Sequence, residues 1–195
     1  MNIFLMVLFY TFASSVIFGH GIGLERLLIY SENKNGLCIF ILKTLILLSI
    51  AVSLLWNLNI YILIPLGLYF ILPLVAIITV LLLEIFVNIF LKKLLEKKAF
   101  FANTPNLEEK ETVFSYGLLF FVLYEAGSYI EALTIIAAAC IGLFIFSHIF
   151  NAIKQKTDLG NAYGEAKEYP LLLIGAGFLM IAFYVTDISW FFDLF

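Results

Sequence analysis

Apolar runs long enough to cross a bilayer recur along the whole of this chain, and they leave it few ways to fold. A helix needs about 20 apolar residues to span a hydrocarbon core, and runs of that order follow one another with only short polar breaks. Ten-residue segments of alternating polarity, the mark of an outer-membrane barrel, do not recur. With 64% hydrophobic and 13% charged residues in a chain of 195, and a mean hydropathy of +1.09, too little polar sequence exists to cover a water-soluble globule. The expectation is an all-α integral membrane protein forming a single transmembrane domain over residues 1–195.

Six membrane helices are expected. The first runs from Ile3 to Phe18, is retained because no basic region precedes it, and is interrupted by Gly19-His20-Gly21-Ile22-Gly23-Leu24-Glu25-Arg26. Three glycines at alternate positions weaken a helix by roughly 1 kcal/mol each against alanine. Helix two covers Cys38 to Trp56, with Lys43 close enough to its start to snorkel to the interface. Asn57-Leu58-Asn59 reads as an uncharged turn, flanked by Trp56 and Tyr61 as aromatic anchors at headgroup depth.

Helix three is expected from Leu66 to Leu91, with Pro65 where it begins and Pro73 as a kink. The fourth run, Thr112 to Tyr124, is too short to span about 30 Å at 1.5 Å per residue, which makes it a half-helix or a mismatched span. Helix five covers Tyr129 to Ile153 and helix six Pro170 to Phe192.

All eleven Lys and Arg fall after helices one, three or five: Arg26, Lys34 and Lys43; Lys92, Lys93, Lys97, Lys98 and Lys110; Lys154, Lys156 and Lys167. The positive-inside rule puts those connections in the cytoplasm, so the chain sits in the inner (cytoplasmic) membrane with both termini on the non-cytoplasmic side. Carboxylates alone mark the opposite face: Glu125, Glu131, Asp187 and Asp193. The chain divides into halves of three helices, about residues 1–95 and 96–195, each opening on a broken or short element. An odd number per half makes the halves antiparallel, the pattern of an inverted repeat whose interruptions face each other near the midplane.

The candidate ion- or proton-path positions are Gly21, Gly23, Glu25, Glu84, Asn88 and Glu111. Glu84 and Asn88 lie four apart on one helix face, where a carboxylate faces protein or water and not lipid. Two roles stay open for Glu84, an ion path or a hydrogen bond that joins helices. Glu25 is either an interfacial partner of Arg26 or a site at the end of a broken helix. His20 and His148 read as interface residues, and Cys38 and Cys140 as buried thiols acting as small hydrophobes. Nothing forms a nucleophile triad, a phosphate loop or a metal-ligand set.

Ile62-Leu63-Ile64-Pro65-Leu66 with the long helix to Lys92-Lys93, and Leu173-Ile174-Gly175-Ala176-Gly177-Phe178 with Ile181-Ala182-Phe183, resemble the family of related membrane subunits found in the Rnf and Nqr electron-transport complexes. The family holds RnfA, RnfE, NqrD and NqrE. In helix count and size this chain is most similar to RnfA and NqrE. The resemblance implies six helices in an inverted repeat and a paralogous sister protein beside it. In the family the pair holds a 2Fe-2S cluster through one cysteine per half, in a complex that moves sodium or protons.

Here the matching positions are Glu25 and, near the second, Glu111 or Thr112, and neither cysteine of the chain aligns with them. Iron–sulfur clusters need thiolates, with histidine as the usual substitute, so no cofactor is expected in this chain. The expected role is a cluster-less structural or ion-path subunit, at most a non-catalytic part of an oxidoreductase, with membrane lipid and other membrane subunits as partners and no nucleic acid. The alternative is a stand-alone ion or small-solute transporter or channel on the same scaffold.

Overall fold

A computed structural model of the protein describes residues 3–13, 17, 20–24, 34–95, 112–159 and 169–187. Among these residues every regular element is helical. Helix α1 (Ile3–Leu8) loosens into a π-helical turn, Phe9–Ala13. Helix α2 (Lys34–Leu58) runs on as a second π-helical turn, Asn59–Leu63. A short 3-10 turn, Tyr69–Ile71, leads into α3 (Leu72–Leu95). Then follow α4 (Thr112–Glu125), α5 (Tyr129–Leu159) and α6 (Tyr169–Asp187).

Three helical segments among the described residues are long and apolar enough to cross a membrane: Gly36–Leu63, Tyr69–Ile89 and Tyr129–Lys156. The protein is therefore an all-helical, membrane-embedded one. The apolar parts of α4, Val113–Glu125, and α6, Leu173–Ala182, are shorter.

Helices this apolar on every face stay regular because their few hydroxyls are absorbed locally. Thr44 donates to the Phe40 carbonyl at 2.8 Å, Ser53 to Ser49 at 2.8 Å, Thr79 to Ala76 at 2.9 Å and Ser147 to Phe144 at 2.8 Å. Each of these four bonds reaches back one turn, so none of these hydroxyls is left bare in an apolar medium. The start of α5 is capped by Ser128, whose Oγ accepts from the Glu131 N–H at 3.3 Å, while the Glu131 carboxylate accepts from the Gly127 N–H at 3.0 Å. This is a variant of the capping box, in which two orphan donors of a helix start are satisfied reciprocally.

Of the boundaries that differ from expectation, two have a local cause. The turn expected at Asn57–Asn59 lies further on, because Asn57 spends its amide on the Ser53 carbonyl, 2.7 Å away, and stays helical. The reversal falls instead at residues 64–68, where Pro65 supplies no N–H and Gly67 takes a φ of +69°. Pro73, expected to kink a helix begun at Leu66, is the second residue of α3. Its missing N–H lies in the first turn, where none is needed.

The described structure divides into two compact units. One comprises residues up to Cys38 together with those from Ala137 onward, and therefore holds α1, the first turn of α2, most of α5 and α6. Here the Thr11 hydroxyl donates to Val7 at 2.7 Å and lies 3.3 Å from the Ala138 carbonyl. Gly142 lets Ile17 approach closely, and the π-turn after α1 packs on α6.

The other unit, Ile39–Ile136, holds most of α2, all of α3 and α4, and the first turns of α5. Its core is built from Phe40, Leu47, Leu48, Val52 and Leu55 of α2, Ala76 and Val80 of α3, Leu118, Leu119 and Val122 of α4, and Ala132 and Ile135 of α5. The Phe40 and Phe114 rings meet at 5.6 Å, which sets α4 against the early part of α2.

Candidate functional site

In the Ile39–Ile136 unit, α3 packs on α4 along a narrow ridge. Ala76 and Val80 are buried on that ridge, and a spacing of four continues it through Glu84 to Asn88, both half-buried. The lipid-exposed positions between them are all large and apolar, among them Ile78, Leu82, Ile85 and Phe86. Glu84 and Asn88 thus sit on the packed side of a helix whose other faces are hydrocarbon.

Across from them, the Tyr116 hydroxyl of α4 makes a long 3.5 Å approach to the Ile77 carbonyl of α3. The Glu84 carboxylate is within electrostatic range of that same phenol, and Glu84 is engaged by the surrounding protein. A carboxylate on one helix in the neighbourhood of a phenol on the next can attract a cation or accept a hydrogen bond.

Lys43 corrects the snorkelling expected of it. The side chain is only 3% exposed, on the α2 face that carries Phe40, Thr44 and Leu47 to the interior, and it too is engaged by the protein around it. With Ser115 and Thr44, also buried, it gives the unit a second patch of polar groups near the Phe40–Phe114 contact. Sequence reasoning missed this because α2 is apolar on all sides, so no periodicity reveals which way position 43 faces.

Gly21 and Gly23 form a turn with φ of +69° and +95°, a backbone that only glycine adopts without cost, and neighbouring His20 is exposed. Glu25 and Glu111 lie outside the described residues. Cys140 is buried as expected, but Cys38 is exposed, since it stands on the outward side of α2. Among the described residues no three of His, Cys, Asp and Glu gather as metal ligands. His148 is exposed with its ring edge-on to Phe144, 4.7 Å away.

No protein-family profile matches the chain, and no solved structure does. Over 91 residues it is 34% identical to an uncharacterized protein of Treponema pallidum (strain Nichols), the match covering 47% of each chain. The chain therefore spans about half the length of the curated relative it matches.

Proposed function

We propose that this protein is a membrane subunit of the kind found in the Rnf and Nqr ion-translocating electron-transport complexes, a structural or ion-path component that holds no cluster of its own. The observation that carries the proposal is Glu84, an ionisable group half-buried on the packed ridge of an otherwise apolar spanning helix. A charged group so placed marks an ion or proton path by default. The link to a redox complex rests on the resemblance of Ile62–Leu66 and Leu173–Phe178 to those proteins.

On this proposal six helices form two inverted three-helix repeats, about residues 1–95 and 96–195, with the first and fourth helices broken or short. In support, α4 has 14 residues, which rise only about 21 Å at 1.5 Å each, against a core of about 30 Å. The chain lies in the cytoplasmic membrane, both termini on the non-cytoplasmic side, beside a paralogous sister protein. Purification from native membranes in mild detergent is expected to bring down flavin-containing or iron–sulfur partners. A chain that always purifies alone overturns the proposal.

Lys43 favours a second reading. Two opposite charges within the spanning helices of one unit suit a stand-alone transporter or channel as well as a component of a complex. If the chain acts alone, proteoliposomes containing it conduct sodium or protons, and both Glu84→Gln and Lys43→Met reduce that flux at least tenfold. Flux unchanged in both variants removes this reading.

A further inference from the structure

No charged residue occurs from Thr44 to Leu83, so α2 and α3 are joined by a reversal that carries no charge at all. Connections between membrane helices ordinarily stand in water, and their polar side chains make that comfortable. Here Asn59–Ile71 instead exposes Ile60, Ile62, Ile64 and Leu66 together with Tyr61 and Tyr69, the two tyrosines 74% and 70% exposed. Ile60, Tyr61 and Ile62 are consecutive and exposed, and further exposed residues follow buried Leu63, so these side chains point to several sides. A surrounding medium fits that arrangement, whereas a partner's surface would cover one side only.

The backbone donors at the centre of the turn are paired within it. The Ile64 N–H donates to the Asn59 carbonyl at 2.9 Å, Leu66 to Ile62 at 3.2 Å, Gly67 to Ile64 at 3.1 Å and Leu68 to Leu63 at 2.9 Å, and Pro65 has no N–H to place. Every donor from residue 64 to 68 is therefore paired inside the turn. Unpaired backbone groups are costly in hydrocarbon, so pairing these donors lowers the cost of seating the turn at the wetter headgroup–acyl boundary. Just below, Ser53 and Tyr129 share a 2.7 Å hydrogen bond between hydroxyls, and Trp56 stacks toward the Tyr129 ring at 6.4 Å. Rings with a polar edge are the groups that settle where hydrocarbon meets headgroups.

We propose that the Asn59–Ile71 reversal is a lipid-seated knuckle that inserts its apolar side chains at the headgroup–acyl boundary of the leaflet it meets. Tyr61 and Tyr69 turn their hydroxyls to the headgroups while the isoleucines and Leu66 enter the acyl layer. The proposal holds whichever ion or partner the protein handles.

The test places an environment-sensitive nitrobenzoxadiazole label on Leu66→Cys, in the full chain with Cys38→Ser and Cys140→Ser, labelled in detergent and reconstituted into phosphatidylcholine–phosphatidylglycerol vesicles. Expected are emission shifted to the blue of the same label in water, strong quenching by lipids bearing a nitroxide high on the acyl chain, and little quenching by iodide. Water-like emission quenched by iodide overturns the proposal. So does blue-shifted emission indifferent to both quenchers, which would mean that protein covers the turn. Ile62→Cys repeats the measurement where Leu66→Cys fails to reconstitute.

Discussion

A single lysine separates two pictures of α2. Were Lys43 at the interface, its replacement would change stability by less than about 0.5 kcal/mol, as surface changes do. Buried and engaged as it is, Lys43→Met is expected to cost about 1–3 kcal/mol through the buried group left unsatisfied, measured by equilibrium unfolding in mixed micelles. Thr11 offers a milder case. Its hydroxyl reaches both the Val7 and the Ala138 carbonyls, yet hydrogen bonds between membrane helices average only about 0.6 kcal/mol. Thr11→Val should lose about that much in the same assay, and a loss several times larger would mean that the hydroxyl holds more than these two bonds. Glu84 was legible in the sequence because a carboxylate within an apolar span admits few placements. Lys43 was not, because a helix start displaced to Lys34 and an unpatterned surface left its direction open. Glu25 and Glu111 remain positions known from sequence alone.

At the level of elements, spans were easier to read than the joints between them. Apolar length announced α3 and α5 with little ambiguity, while the end of α2 turned on one side-chain bond, Asn57 to Ser53, that no composition rule contains. The joint itself is open to measurement. Gly67 has φ +69° and empty space where a Cβ would stand, so Gly67→Ala meets no clash and should cost only the left-handed backbone penalty, about 1–2 kcal/mol. A cost near zero would mean that the turn adopts another conformation. At the start of α5, Ser128→Ala removes the acceptor for the Glu131 N–H and is expected to cost about 1 kcal/mol. The S-x-x-E spacing of Ser128 and Glu131 was a visible signal of this cap, overshadowed by the use of Glu131 as a topology marker.

For the molecule as a whole, the membrane class followed from apolar length because no other fold can hide so much hydrocarbon surface. The proposed orientation rests on the grouping of the basic residues after the first, third and fifth expected helices, and it is directly testable. Periplasmically active reporters fused to either terminus should be active, and one inserted after Lys98 should be silent; the reverse pattern inverts the proposed topology. Six spans and their symmetry remain the proposal, since three segments among the described residues are long and apolar enough to cross a membrane, α4 is too short to declare itself, and an inverted repeat need not leave visible similarity between halves. The uncharged reversal between α2 and α3 also bears on biogenesis. Carrying a lysine or aspartate to the centre of a bilayer costs about 2.5–3.5 kcal/mol on the insertion scale, and a charged loop feels about 2.3 kcal/mol per charge for each 100 mV of membrane potential. A tip with no charge meets neither barrier, so the two helices can enter the bilayer together as a hairpin, whether or not the cell is energised.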